Sequence, residues 1–205
     1  MLGLEYESTS TDTPEDLDTP LAADPPALAA ALAAEKALAA RAAGADGPVL
    51  AFDTVVVHGG RVLGKPADIA EAYEMLRSLS GAMHRVVTGM AILPPGAEAP
   101  ETSAVTTPVR MRDLTEHDID TWAAHGELLG CAGAYNIESH LAEVDDDQCF
   151  QNVAGLPLCH LYLAICRMRD ALRIEEPTVP VGPCDVARNA HCELGPRLME
   201  GDLRE

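Results

Sequence analysis

Two charged side chains of opposite sign are predicted to lie close together within residues 49–89. Asp53 interrupts a Val-rich apolar run that predicts a buried strand, and a carboxylate in such a place needs a reason. Residues 58–60 (HGG) favour a hairpin turn, so the chain returns and brings Lys65 near the strand that carries Asp53. A carboxylate that deprotonates water and an ammonium that binds phosphate as a point charge would then face a common cleft.

Four predicted elements position these two side chains. The strand that begins at Val49 and the short return strand over residues 61–63 form the hairpin. Residues 83–92 predict another strand. Between the hairpin and that strand lies a predicted helix, whose apolar residues repeat at helical spacing: Ile69, Ala72, Tyr73, Leu76 and Leu79.

A second lysine lies in an Ala-rich stretch, residues 27–44, that predicts a helix ending near a glycine. Lys36 and Lys65 are the only lysines among the 14 basic residues of the chain, which otherwise uses arginine. A compact ammonium suits a phosphate, which makes the choice of lysine notable. The alternative reading is that Lys36 follows Glu35 on an exposed helix face and forms a solvated pair with it.

Composition restricts the classes of partner. The chain has 205 residues, of which 47% are hydrophobic, and a formal net charge of −19. Such an acidic chain, with 3% aromatic residues and no local basic patch, is not expected to bind DNA or RNA. Six cysteines come with no signal peptide and no apolar run long enough for a bilayer, so we expect a cytoplasmic protein without membrane contact.

Several short motifs, in their order and approximate spacing, resemble the Maf family of nucleoside triphosphate pyrophosphatases, also known as septum formation inhibitors. The combination is far more specific than any single motif. It covers roughly residues 2–174 and comprises FDTVVV at 52–57, LGKP at 63–66, LSG at 79–81, VTG at 87–89, AGAYNIE at 132–138 and NVAGLPL at 152–158.

The resemblance implies an α/β fold, a Maf/ITPase-like mixed twisted sheet flanked by helices, with two lobes around a central cleft. We expect residues 1–174 to form this domain and residues 175–205, which have no sustained periodicity and four prolines, to form an irregular tail. Family members open with a strand and a Ser-x-x-Arg-Arg loop that grips the nucleotide, whereas residues 1–15 align with a family segment beyond that loop. Either the start has been assigned too far downstream, or the strand and loop have been lost.

The resemblance also implies hydrolysis of a nucleoside triphosphate between its α and β phosphates, with release of the monophosphate and pyrophosphate. Asp53 would be the general base, and Lys36 and Lys65 would hold phosphate. Glu15 would join Asp53 in binding a divalent cation, Mg²⁺ or Mn²⁺. Glu15 lies in a loop rich in Ser, Thr, Asp and Pro, where an acid is more often simply solvated.

The nucleobase would be read by Thr54 and Glu138. The signature of these positions is mixed. The family branch that acts on 7-methyl-GTP resembles this chain in Cys131 and Glu138, whereas Thr54 and the valines after it resemble the branch that acts on dTTP and UTP. The preferred base stays open at this point.

Two other classes compete with the enzyme. A catalytically silent, nucleotide-binding regulator of septation would share the fold, and a structural zinc protein would use the cysteines and histidines of the tail. The tail spacing matches no strong zinc pattern. Residues 145–147 (DDD) suggest a metal site, but consecutive acids more often mark a solvated turn. The family resemblance further implies a homodimer.

Overall fold

The sheet of this protein, seen in a computed structural model that describes residues 1–11 and 13–201, has five strands in the order β2-β1-β3-β4-β5. The end of strand β1 lies beside the start of β3, because the hairpin and the helix after it return the chain to the same end of the sheet. The other strand pairs of the described chain are antiparallel as well, so the expected mixed sheet is wrong in this detail. The strands are β1 Val49–His58, β2 Arg61–Leu63, β3 Met83–Leu93, β4 Glu101–Met111 and β5 Ala142–Glu143.

Seven α-helices occur in the described chain, interspersed with short 3-10 turns. None of them is both long and apolar enough to cross a membrane. The helices are α1 Pro25–Ala42, α2 Ile69–Leu79, α3 Glu116–Ala123, α4 Phe150–Val153, α5 Leu158–Leu172, α6 Val181–Arg188 and α7 Leu194–Glu200.

Helix α1 covers one face of the sheet at short range. Asp24 caps its N-terminus by accepting a hydrogen bond from the Ala27 amide at 3.3 Å. A Cβ atom at Gly89 of β3 would lie 2.1 Å from the carbonyl oxygen of Ala29, so only glycine allows this approach. The close packing holds Lys36 of α1 over the strand that carries Asp53.

The opposite face of the sheet is covered by the remaining helices and by the loops before and after β5. Burial of two apolar clusters there supplies the main driving force for folding. The largest fully buried side chains of these clusters are Leu76, Leu79, Met111, Ile119, Leu128, Ile165 and Leu172.

Residues 175–201 are not irregular as the sequence predicts, because they contain α6 and α7. Pro183 and Pro196 fall within the first turns of these helices, where a missing amide proton costs nothing. Cys184 and Leu198 give each helix a buried side chain. The helices thus form where the prolines led us to expect no regular structure.

Candidate active site

A cleft of about 250 Å³ opens at the part of β1 that β2 does not pair with. Successive residues of a strand point to opposite faces, so the cleft has a charged half on the α1 face and a largely neutral half on the other. Four ionisable residues line the charged half: Glu15, Lys36, Asp53 and Lys65. The neutral half is lined by Thr54, Val56, Val86, Gly130, Cys131, Ala132, Tyr135, Asn136, Val153, Ala154 and Gly155.

Asp53 lies in the middle of β1, opposite Gly89 of β3, and is only 4% exposed. Its Oδ1 atom accepts a hydrogen bond from Lys36 Nζ. Its Oδ2 atom is buried and has no hydrogen-bond partner in the described chain. Burial raises the pKa of Asp53, and this effect outweighs the opposing influence of Lys36. The Oδ2 oxygen is therefore a buried acceptor that no protein donor satisfies in the described chain.

Glu15 joins the two lysines within the charged half of the cleft. Its Oε1 atom accepts hydrogen bonds from Lys36 Nζ at 2.9 Å and from Lys65 Nζ at 2.7 Å. Burial opposes ionisation of Glu15, but the two ammonium groups outweigh it and lower its pKa. Lys36 is likewise kept charged, because its bonds to Asp53 and Glu15 outweigh burial and raise its pKa. Lys36 is thus bonded to two carboxylates that line the cleft and is not simply a solvated partner of Glu35.

The four charges make a balanced network of two carboxylates and two ammonium groups. Lys65 is the more exposed of the two lysines: half of its side chain is exposed, and among the described residues its ion pair is with the shared oxygen of Glu15. Lys65 is therefore the lysine more open to an anion that enters the cleft.

A line of hydroxyl groups supports the neutral half from within the sheet. Thr54 Oγ1 lies 2.9 Å from Thr88 Oγ1 of β3. The Thr88 hydroxyl, which is fully buried, donates to the carbonyl oxygen of Asn152 at 3.0 Å. Asn152 precedes the loop that carries Gly155, and an atom placed at the Cβ position of Gly155 would lie 3.3 Å from Thr54 Oγ1. The sheet and this loop are therefore fixed relative to each other at the cleft.

Residues 131–136 form the opposite wall and are held by hydrogen bonds to several neighbouring elements. Gly133 donates to the Gly64 carbonyl at 3.0 Å, which ties the loop to the residue before Lys65. Trp122 Nε1 donates to the Ala134 carbonyl at 2.8 Å. The Tyr135 hydroxyl lies 2.6 Å from His84 Nε2, and burial lowers the pKa of His84 to about 4, so the imidazole is neutral.

The structure brings together five of the six residues named from the sequence, namely Asp53, Lys36, Lys65, Glu15 and Thr54. The sixth, Glu138, is exposed in a 3-10 turn and lies outside the lining of the cleft.

Sequence reasoning missed the supporting residues Thr88, Asn152 and His84. Thr88 and Asn152 belong to two of the short motifs, but nothing in the sequence tells that their side chains meet. His84 carries no sequence signal that distinguishes it from an ordinary strand residue.

The acidic run at residues 145–147 is a solvated turn, as its composition favours. Asp146 Oδ1 accepts a hydrogen bond from Arg188 Nη2 at 2.7 Å and so helps to hold α6. Across the described chain no group of three His, Cys, Asp or Glu side chains is arranged to hold a metal ion. The described residues of the tail thus offer no such group for the structural zinc site considered above.

A buried carboxylate and two ammonium groups thus lie together in the cleft. Comparison with known proteins identifies the family of the chain. The model of the Maf-like protein family matches residues 1–168, so the chain belongs to this family. The Maf resemblance and the α/β class inferred from the sequence are thereby confirmed.

Curated relatives with the name dTTP/UTP pyrophosphatase match part of the chain. The protein of Pelotomaculum thermopropionicum is 43% identical over 118 residues, which are 57% of this chain and 62% of the relative. The protein of Salinibacter ruber is 39% identical over 130 residues, 60% of this chain and 63% of the relative. The protein of Halalkalibacterium halodurans is 44% identical over 124 residues, which are 58% of this chain and 63% of the relative. The chain thus spans about three fifths of the length of these relatives.

Proposed function

We propose that this protein is a nucleoside triphosphate pyrophosphatase that releases pyrophosphate from dTTP and UTP. The observation that carries the proposal is Asp53, a buried carboxylate with one unpartnered oxygen, next to two lysines in a cleft that also has a neutral half. The names of the relatives support the reaction and the two substrates.

Asp53 acts as the general base in this proposal. Its Oδ2 atom accepts a hydrogen bond from a water molecule and takes the proton of that water as it attacks phosphorus. The bond between the α and β phosphates breaks, giving the monophosphate and pyrophosphate. Burial raises the pKa of Asp53, which makes it a stronger base than a solvated aspartate.

Lys36 and Lys65 bind the phosphate oxygens and stabilise the negative charge that develops on the leaving pyrophosphate. Lys36 also holds Oδ1 of Asp53, which fixes the direction of the free oxygen. Lys65 exchanges the carboxylate of Glu15 for the triphosphate, since both are anions and the lysine side chain is half exposed.

A divalent cation held by Asp53 and Glu15 is part of the proposal. The buried, unpartnered Oδ2 of Asp53 is a hard oxygen donor of the kind that Mg²⁺ and Mn²⁺ prefer, and the Glu15 carboxylate lies within reach of the same lysine. Asp53 and Glu15 would hold the ion, which when bound neutralises phosphate charge and lowers the pKa of water.

The rival proposal, a silent nucleotide-binding regulator of septation, predicts binding without turnover. The three relatives carry the name of an enzyme, which favours hydrolysis. An assay distinguishes the two proposals. It measures the pyrophosphate released from dTTP and UTP by the unmodified protein and by the Asp53→Asn variant. Asp46→Asn, a change of the same kind at an exposed loop residue, serves as the matched control. Binding of dTTP with no pyrophosphate above the Asp53→Asn background would reject the enzyme.

A further inference from the structure

Four of the six cysteines are buried at one junction, where α6 and α7 meet the rest of the chain. Cys149 directly precedes α4 and Cys159 lies in α5, and we call these two the core thiols. Cys184 lies in α6 and Cys192 in the turn before α7, and we call these two the tail thiols. The family match ends at residue 168, so the tail thiols belong to a part of the chain beyond that match.

The contacts of Gly195 place a core thiol near a tail thiol. The amide of Gly195 donates to Cys192 Sγ at 3.4 Å, and a Cβ atom at the same glycine would lie 3.4 Å from Cys159 Sγ. Burial raises the pKa of Cys149 and of Cys159 to about 12, and the tail thiols add to both shifts. Because such an influence acts over short distances inside a protein, the four thiols form one cluster.

The tail is docked on the segment that leads to the cleft wall. Arg188 Nη2 donates to Asp146 Oδ1 at 2.7 Å, and the Glu193 amide donates to the Asp146 carbonyl at 2.9 Å. The side chain of Asp146 is 61% exposed, and ion pairs with an exposed partner contribute little to stability. The tail can therefore open locally while the sheet stays folded. Opening exposes thiols that are protonated and unreactive as long as they are buried.

We propose that the cluster is a redox switch, in which a small disulfide compound oxidises one core thiol and one tail thiol to a disulfide that locks α6 and α7 in place. The thiolate of an exposed cysteine attacks the small disulfide and releases one small thiol. When the tail docks again, the second cysteine attacks the mixed disulfide and releases the other small thiol. The two cysteines lose two electrons and two protons, and the small disulfide gains them.

Cys159 and Cys192 are the pair expected to react, because both sulfur atoms lie against Gly195. Their disulfide would join α5 to the turn before α7 and so restrict the opened state of the tail. This switch does not depend on the reaction proposed for the cleft, since none of the four thiols lines it.

The test incubates the protein with glutathione disulfide, blocks the remaining thiols with iodoacetamide and maps the unreduced peptides by mass spectrometry. We expect a peptide pair that joins Cys149 or Cys159 to Cys184 or Cys192. Hydrogen exchange of the amides in α6 and α7 should then slow by about tenfold or more, because the disulfide disfavours opening. Cys166→Ser, a change at a partly exposed thiol of α5, is the matched control and should leave both results unchanged.

The double variant Cys184→Ser with Cys192→Ser removes both tail thiols, and oxidation should no longer slow the exchange. Persistent slowing in this variant would overturn the proposal. If the variant does not fold, the map of the unmodified protein decides. Four thiols that stay reduced, or a disulfide that joins only the two core thiols or only the two tail thiols, would overturn the switch. So would one equivalent of zinc bound to the reduced protein through these thiols, which would then be metal ligands.

Discussion

Lys36 donates to Oδ1 of Asp53 and leaves Oδ2 of that carboxylate buried without a partner among the described residues. Burial raises the pKa of this acid and Lys36 opposes that shift, while one of the two carboxylate oxygens stays without a partner. Structural ion pairs usually satisfy both partners, and a buried acceptor left open costs free energy. A buried acceptor left open beside a lysine is the arrangement that the proposed general base requires.

The pair makes Lys36 important for stability as well as for binding. We expect Lys36→Met to lower the free energy of unfolding by about 1–3 kcal/mol, because it leaves a buried carboxylate without its counter-charge. Lys65→Met is the matched control. Because Lys65 is half exposed, this substitution should lower the free energy of unfolding by less than about 1 kcal/mol. Urea titrations of both variants measure the difference.

The double variant Lys36→Met with Asp53→Asn checks the cause. Without the buried charge, the lysine is no longer needed, so much of the lost stability should return. If the double variant is as unstable as the sum of the single ones, the two side chains do not interact as the structure places them.

The pH dependence of activity should report the raised pKa of Asp53. A general base works only when deprotonated, so kcat/KM for dTTP should fall as the pH drops through a pKa above the ordinary 3.8 of an aspartate. Since Lys36 lowers the pKa of Asp53, Lys36→Met should move this acid limb to higher pH, whatever activity remains. A limb that stays in place would mean that another group is the base.

His84 should make the fold sensitive to acid. Its pKa falls from 6.5 to about 4 on burial, so the unfolded chain binds more protons between these values and stability falls as the pH drops through that window. The loss approaches about 3 kcal/mol by pH 4. In His84→Gln the part of this slope between pH 6.5 and 5, where most carboxyl groups do not titrate, should disappear from chemical denaturation curves. An equal slope in the variant would mean that His84 is not buried beside Tyr135.

The sequence was sufficient for the elements that repeat regularly. The strand at Asp53, the turn at residues 58–60 and the helix at Ile69–Leu79 follow from local patterns, because turn residues and apolar periods act over a few positions. The prediction of an irregular tail for residues 175–205 was wrong for the described residues, which contain α6 and α7. A proline in the first turn of a helix and a proline in a loop look alike in a sequence.

The cleft was predictable only in part. Asp53 is a charged residue within an apolar run, and that is visible in a sequence, whereas the role of Lys36 was inferred from the family resemblance. The line from Thr54 through Thr88 to the backbone carbonyl of Asn152 joins residues far apart in the chain, so only the packed structure reveals it. Glu138 was chosen from the family signature, and the turn that exposes it could not be anticipated from residue type alone.

The central claim is that Asp53 acts as the general base in hydrolysis between the α and β phosphates of a nucleoside triphosphate. Analysis of the reaction products tests this claim most directly. The protein is incubated with dTTP and Mg²⁺ or Mn²⁺, and the nucleotides and phosphates are separated by anion exchange. We expect dTMP and pyrophosphate in equal amounts, with Asp53→Asn slower by a factor of about 10² to 10⁴ and Asp46→Asn unchanged. Formation of dTDP and phosphate, or equal rates for the protein and a folded Asp53→Asn variant, would contradict the account.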